Sequence, residues 1–331
     1  MQLPFTRAAD FRQERDFGAK IGATFEFLKA HWRPLGKCLA YFVLPGALLM
    51  GVGLGLLTNS MWNVLSAAKD NPGNSDPSAM FNASYFAGIG LAVVAGMGSF
   101  ALLLGTVYAY VRLLLTTEPA TAPQPAQVWQ ELRSRLGRML LAFGFFFGLY
   151  MVLMVAFGLV AGLSARSGSP WAVVLVVLLL LPVLFYVLVP LSLYFPAMWM
   201  EDRGVVSSLG RSFALARGHW WATAGLILVA SMIQGFLSIL FVLPQYAVMI
   251  GKLLKIPGLS SDALGIAAQC LYSGGIIFTY SVSLLAALFQ YFNLVEQKEG
   301  LGLRNLVDSL GTGPAPVAHN QAYRADEEGE Y

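Results

Sequence analysis

Six long stretches without a charged side chain divide the sequence. They run over residues 38–68, 77–111, 139–165, 167–200, 218–251 and 263–295. Crossing the hydrocarbon core of a bilayer takes about 20 apolar helical residues, so each stretch can hold one spanning helix. Their apolar residues are continuous, as in Ala172–Leu181, and do not alternate as barrel strands do. The pattern predicts an all-α integral membrane protein with spans near 36–58, 84–114, 137–163, 171–199, 219–247 and 264–295.

Composition supports lipid as the solvent. The chain is 57% hydrophobic and 12% charged, and its mean hydropathy is +0.64. Soluble domains carry about 25% charged residues. We expect a single polytopic membrane domain over residues 1–310 and a disordered, polar cytoplasmic tail over 311–331.

Lysine and arginine are distributed unevenly between the two sides. All but four of the 21 precede span 1 or follow spans 2, 4 and 6; the four exceptions are Lys69, Arg166, Lys252 and Lys255. Basic residues are retained on the cytoplasmic side of a membrane. Both termini are therefore predicted to be cytoplasmic, which an even number of spans requires.

Two segments repeat without a gap. Residues 21–32 read IGATFEFLKAHW and residues 209–220 read LGRSFALARGHW, with Gly, Phe, His and Trp at the same register. A weaker match pairs 35–42 with 136–143, for which biased composition is the alternative. We interpret these matches as a three-fold internal pseudo-repeat, in which a cytoplasmic amphipathic helix precedes each helical hairpin.

Both repeated segments have an apolar stripe at helical spacing. In the first the stripe is Phe17, Ile21, Phe25, Leu28 and Trp32; in the third it is Val206, Leu209, Phe213, Ala216 and Trp220. Basic residues beside such a stripe suit the membrane–water interface. We expect both helices to lie on the cytoplasmic surface and to turn into the bilayer at His-Trp; packing on other helices is the alternative.

Basic and amphipathic side chains near these turns are the candidate lipid-headgroup contacts. Lysine and arginine would bind phosphate, and His-Trp would anchor at headgroup depth. The candidates are Lys29, His31, Trp32, Arg33, Arg203, Arg211, Arg217, His219 and Trp220.

The segment EDRGVVSSLGRSFALARGHW at residues 201–220 resembles the membrane domain found beside some bacterial glycerophosphoryl diester phosphodiesterases, and its stand-alone relatives of unknown function. Residues 17–45 and 294–303 are similar to the stand-alone group. The resemblance covers most of 12–310 and implies a six-helix fold in the plasma membrane of a bacterium. It does not carry over the phosphodiesterase activity, which belongs to a separate soluble barrel with a metal held by carboxylates and histidines.

Catalytic chemistry is not indicated. No charged residue lies near a span centre, and Arg112 and Glu296 sit close to inner ends. The histidines, which include His319, are scattered, and Cys38 and Cys270 lie in apolar runs. We expect no enzyme, no cofactor, no metal and no nucleic-acid partner.

Three features of the spans leave alternatives open. Pro182, Pro190 and Pro196 in span 4 indicate a packing kink or a cavity wall. Polar residues of spans 5 and 6 indicate interhelical hydrogen bonds or a permeation path. Small residues recur every fourth position in spans 1 to 3, including Gly144 and Gly148, and indicate close helix contacts or a homodimer seam.

Two functional hypotheses follow. The first is a non-enzymatic membrane protein that binds or organises lipid, including anionic phospholipid, or scaffolds a protein partner. The alternative is a transporter or export component for an uncharged or amphiphilic molecule.

Overall fold

The computed structural model describes residue 5 and residues 8–70, 77–116, 122–167 and 171–300. The predicted tail at 311–331 lies outside these residues. The described part contains helices and no strand. The helices are α1 (Ala8–Phe11), α2 (Phe17–Phe42), α3 (Leu44–Asp70), a 3₁₀ turn (Pro77–Met80), α4 (Ala83–Thr116), α5 (Pro125–Ser167), α6 (Trp171–Leu191), α7 (Tyr194–Met200), α8 (Val205–Ala216), α9 (Trp220–Leu253) and α10 (Asp262–Glu299).

Six segments are long and apolar enough to cross a membrane. They are Leu44–Ser66, Ala83–Thr116, Pro125–Ser164, Val173–Met200, Trp220–Leu253 and Asp262–Glu299. Within the described residues this confirms the predicted all-helical class and the number of helices that could span a membrane. The first segment begins at Leu44 rather than near residue 36, because α2 still carries Arg33 and Lys37 and ends only at Phe42.

Helix α10 is the centre of the bundle. It packs against α2, α3 and α9, and 67% of the residues in its most apolar stretch are buried inside the protein. The corresponding buried share is 6% for α5 and 11% for α9. Large apolar surfaces of the peripheral helices are thus left for lipid to cover.

Small residues bring α3 close to its neighbours. A Cβ atom on Gly51 would lie 2.6 Å from the Cα of Cys270 in α10, and one on Gly53 would lie 2.5 Å from the backbone nitrogen of Ala92 in α4. These contacts confirm the close-packing interpretation for spans 1 and 2. Gly144 and Gly148 of α5 differ, because a Cβ at either position would have no atom of another described helix within 4 Å.

The fourth span is broken into α6 and α7 after Pro190. Residues 192–193 form a turn, after which α7 continues with Tyr194, Ala197 and Trp199 almost wholly buried. Helix α6 is largely exposed, as an apolar helix in lipid would be. The kink therefore separates a buried inner segment from a peripheral outer one, in line with the packing interpretation of the prolines.

Candidate functional site

The predicted headgroup residues differ widely in exposure. Five have exposed side chains: Lys29, Trp32, Arg33, Arg203 and Arg217. Arg211, His219 and Trp220 are partly buried, and His31 is fully buried.

Helix α2 exposes part of its apolar stripe, while Ile21 and Leu28 of that stripe are partly buried. Phe17 and Phe25 are about two-fifths exposed and Trp32 is 62% exposed, whereas the opposite face packs on α10 and α4. Lys29 and Arg33 are exposed beside the stripe, and the Arg33 guanidinium lies 5.3 Å from the Trp32 ring centroid. An exposed apolar stripe flanked by cations is the surface that the polar–apolar boundary of a bilayer accepts.

His31 is not a headgroup contact, and that prediction is wrong. Its Nδ1 lies 2.9 Å from the Tyr110 hydroxyl, and its ring stacks on Phe27 with centroids 4.7 Å apart. Neighbouring residues of a helix point about 100° apart, so the exposure of Trp32 leaves His31 on the inner side. Helix α2 also runs through both residues without the predicted break and ends at Phe42.

The second His-Trp pair does lie at a break between helices. Helix α8 ends at Ala216, Gly218 takes a positive φ of 86°, and α9 begins at Trp220 with His219 as its N-cap residue. Glycine suits this position because a left-handed φ strains other residues. The two repeated segments therefore differ in local structure, although their sequences match.

Trp220 is held by the kinked fourth span. Its indole nitrogen donates a hydrogen bond of 3.1 Å to the carbonyl oxygen of Tyr186, and its ring stacks on the Tyr186 ring. Tyr186 lies four residues before Pro190, which has no N–H to donate to it. Trp220 thus satisfies a carbonyl that the proline frees, a role that sequence reasoning missed.

Arg203 and Arg211 share a carboxylate of the protein. Glu201 accepts hydrogen bonds from Arg211 Nε at 2.8 Å, Arg203 Nε at 2.5 Å and the Tyr291 hydroxyl at 2.9 Å, and Arg211 also pairs with Glu299. Burial alone would raise the pKa of Glu201, but these three donors hold that pKa below its ordinary value. The charge of Arg211 is therefore compensated within the protein, which makes it the weaker of the predicted phosphate contacts.

A second carboxylate gathers three arginines that were not predicted as site residues. Asp202 pairs with Arg112, with Arg135 and, at 3.3 Å, with Arg138. Arg112 also donates a 2.6 Å hydrogen bond to the carbonyl of Trp199. Asp202 has a positive φ of 53°, in the left-handed region that aspartate adopts more readily than most residues other than glycine. These contacts join α4 and α5 to the α7–α8 connection.

Buried polar groups link α2 to α9 and α10. Lys20 Nζ donates to Gln290 Oε1 at 2.8 Å, and the Gln290 amide donates to the Thr223 hydroxyl at 2.8 Å. Burial lowers the pKa of Lys20, and the nearby charge of Asp16 opposes that shift. Nearby, the backbone N–H of Arg15 donates to Asn293 Oδ1 at 2.7 Å. This network fixes the buried face of α2, and so fixes which face it exposes.

Polar residues in the middle of α9 and α10 bond to each other. The hydroxyls of Ser238 and Thr279 are 2.9 Å apart, and Ser283 donates to Gln234 Oε1 at 2.7 Å. These pairs confirm interhelical hydrogen bonds at those positions. The Ser273 hydroxyl is buried and has no hydrogen-bond partner within the described residues.

A separate polar cluster lies where α9 and α10 are joined. Lys252 Nζ donates to Asn59 Oδ1 at 2.8 Å and to Asp262 Oδ1 at 2.5 Å. Lys252 is buried, so both acceptors are needed to offset the loss of hydration of its charge. The cluster ties α3 to the α9–α10 turn.

No three histidine, cysteine or acidic residues come together as a metal site in the part of the chain that the structure describes. Cys38 and Cys270 are free cysteines. The arrangement of charged groups is one of cation–carboxylate pairs at helix ends, with Lys29 and Arg33 exposed beside an apolar stripe.

Comparison with known families gives one match. A family model described as a domain of unknown function (DUF7847) matches residues 40–295, from the end of α2 to the last turns of α10. No curated protein and no solved structure matches the chain.

Proposed function

The chain belongs to the family described as a domain of unknown function (DUF7847), and we propose that it is a non-enzymatic protein that binds anionic phospholipid at the cytoplasmic surface of a bacterial plasma membrane. The resemblance to the membrane domain of glycerophosphoryl diester phosphodiesterases stays a prediction. It agrees with the proposed membrane and fold, and it supplies no activity.

One observation carries the proposal, namely the exposed face of α2. Trp32 is 62% exposed next to Lys29 and Arg33, and the same helix is anchored through Lys20 and His31 on its other side. Water would disfavour such an apolar face, whereas an interface accepts the rings and places the cations at the phosphates.

The proposed orientation rests on where the charges meet. Arginines from α4, α5 and α8 pair with Glu201 and Asp202 at one end of the bundle, and Lys298 of α10 donates to the carbonyl of Arg217 at 3.0 Å there. The positive-inside rule favours this end as cytoplasmic, with both termini on that side.

Helices α2 and α8 are the proposed interfacial helices, and their shared sequence supports a pseudo-repeat of parallel units. Helix α8 exposes Val206, and Arg203 and Arg217 are exposed just beyond its two ends. It offers lipid less uncompensated positive charge than α2 does, because Arg203 and Arg211 form ion pairs with Glu201. The main contact with lipid phosphate is therefore assigned to Lys29 and Arg33.

The expected preference for anionic lipid is modest. Each basic residue near an anionic surface contributes about 1 kcal/mol, so Lys29 and Arg33 together favour anionic lipid by about 2 kcal/mol. That free energy corresponds to roughly thirty-fold enrichment around the protein.

Lipid mass spectrometry of the purified protein tests the proposal. The protein is extracted from membranes that contain phosphatidylglycerol and phosphatidylethanolamine, and retained lipids are counted. We expect enrichment of phosphatidylglycerol that falls in a Lys29→Gln, Arg33→Gln variant and persists in a Lys255→Gln variant, whose change lies on the other side. No selective retention by the unaltered protein would refute the proposal.

The transport alternative has less support. Four of the polar side chains of α9 and α10 that motivated it pair as Ser238 with Thr279 and Gln234 with Ser283, whereas the buried Ser273 hydroxyl has no hydrogen-bond partner within the described residues. Side chains engaged in this way hold two helices together and are not free to contact a passing molecule.

A further inference from the structure

A stretch in the middle of α5 is exposed on every side. All seven residues of Leu149–Val155 are exposed, over nearly two helical turns. A helix that rests on a neighbour buries every third or fourth residue. This part of α5 therefore projects from the bundle into the space that lipid occupies.

One exposed stripe of α5 begins at a cation. Leu141 is 69% exposed and Phe145 is 39% exposed, and Gly148 continues the spacing of three and four residues that starts at Arg138. These positions lie within about 80° of one another around the helix. A single strip of surface thus leads from a guanidinium to apolar side chains.

The strip has a shallow floor at its far end. Apart from the backbone of α5 itself, no atom of the described residues lies within 4 Å of a Cβ built on Gly144 or on Gly148. From Arg138 to Gly148 the helix rises by about 15 Å, which is half of the roughly 30 Å hydrocarbon core. That length corresponds to one leaflet.

Arg138 has donors to spare. Its Nη1 lies 3.3 Å from Asp202 and 3.4 Å from the Arg203 carbonyl, and its other nitrogens make no hydrogen bond within the described residues. Arg112 and Arg135 surround the same Asp202, and Glu131 pairs with both of them. Three guanidiniums against two carboxylates leave one positive charge in excess.

We infer that α5 carries a phospholipid site of its own, with the lipid phosphate on Arg138 and an acyl chain along Leu141, Phe145 and Gly148. An arginine binds phosphate through charge-assisted hydrogen bonds, and the excess charge of the cluster calls for an anion. The apolar strip matches an acyl chain in length, since it extends across about one leaflet. The site rests on the proposed function but lies on a different helix from the α2 surface.

Matched variants test this site by native mass spectrometry after equilibration with vesicles of phosphatidylglycerol and phosphatidylcholine. Arg138→Gln should lower bound phosphatidylglycerol about fivefold, the effect of one basic residue. Arg133→Gln should have a smaller effect, because Arg133 is exposed on the same helix but points about 140° away from Arg138. Gly148→Leu should displace the acyl chain, and Gly235→Leu, equally open on α9, should not.

The Gly148→Leu variant is expected to fold, because a side chain at that position would meet no neighbouring helix among the described residues. Unchanged retention in both Arg138→Gln and Gly148→Leu, with selectivity preserved in the unaltered protein, overturns the α5 site and leaves the proposed function standing. If the unaltered protein shows no preference for phosphatidylglycerol over phosphatidylcholine, both the α5 site and the proposed function are overturned. Displacement of the lipid by inorganic phosphate alone would show a free-anion site and overturn the acyl track. A dimer that Gly148→Leu dissociates without changing the lipid count would assign the strip to a second copy.

Discussion

Trp220 donates its indole hydrogen to the carbonyl oxygen of Tyr186 at 3.1 Å. In an unbroken helix that carbonyl would accept from residue 190, but residue 190 is proline. A tryptophan at the start of the fifth span thereby completes the hydrogen bonding of the fourth. The kink is stable because a side chain from another helix replaces the missing backbone donor.

The pair predicts coupling between Trp220 and Pro190. Trp220→Phe should lower stability by about 1 kcal/mol, the net worth of one hydrogen bond. In a Pro190→Ala background the cost should be smaller, because the alanine N–H can bond to Tyr186. A double-mutant cycle on thermal unfolding in detergent measures the coupling. Equal costs of Trp220→Phe in both backgrounds would show that the hydrogen bond contributes nothing.

Close packing of α3 on α4 makes a second prediction. Gly53→Ala should destabilise the protein by about 1–3 kcal/mol, because its Cβ would meet the backbone nitrogen of Ala92 at 2.5 Å. Gly90→Ala on α4 should be neutral or slightly stabilising, since that Cβ would have no neighbour from the rest of the described structure within 4 Å. Thermal unfolding of the two variants checks this difference. A milder effect at Gly53 than at Gly90 would contradict the packing.

The ion cluster around Glu201 makes the fold sensitive to acid. Its pKa in the folded protein lies below the ordinary value of 4.5, so its stabilising contribution is present above that pH and is lost as pH falls through the lowered pKa. Melting temperature measured against pH should therefore drop less steeply below 4.5 in Glu201→Gln than in the unaltered protein. Glu14→Gln, at an exposed position, should leave the profile unchanged. If melting temperature falls with pH in the same way in all three proteins, Glu201 is not the cause of the acid sensitivity.

Much of the architecture could be predicted because a membrane span is recognisable from the residue types along one continuous stretch of sequence. A run without charge marks each span, and lysine and arginine mark a side. The stripe of Phe17, Phe25 and Trp32 was likewise visible in the sequence. Periodicity shows that one face is apolar, but it does not show whether protein or lipid covers that face.

The buried face of α2 could not be predicted for that reason. Lys20 and His31 occupy it, although both are polar, because Gln290 and Tyr110 supply partners from helices distant in sequence. The gathering of arginines on Asp202 was missed for the same reason, since Arg112 and Asp202 lie 90 positions apart. No local pattern signals a contact of that range.

Topology is open to direct labelling. Cysteines placed at Lys29 and Arg217, in a variant lacking Cys38 and Cys270, should both react with an impermeant reagent only from the cytoplasmic side. Both positions are exposed, whereas His31 is buried and would label poorly at either side. A cysteine at Lys255, on the outer connection, is the control that should react only from the opposite side. Labelling of Lys29 and Arg217 from different sides would contradict the orientation and the parallel repeat.

The most direct test of anionic lipid binding at α2 is fluorescence quenching of Trp32 by brominated lipid. The Trp32 signal is the difference between the unaltered protein and Trp32→Phe, each reconstituted in vesicles. We expect brominated phosphatidylglycerol, as a minor component, to quench Trp32 more than the same fraction of brominated phosphatidylcholine, and Lys29→Gln with Arg33→Gln to abolish the difference. Equal quenching by the two lipids in the unaltered protein would contradict the account.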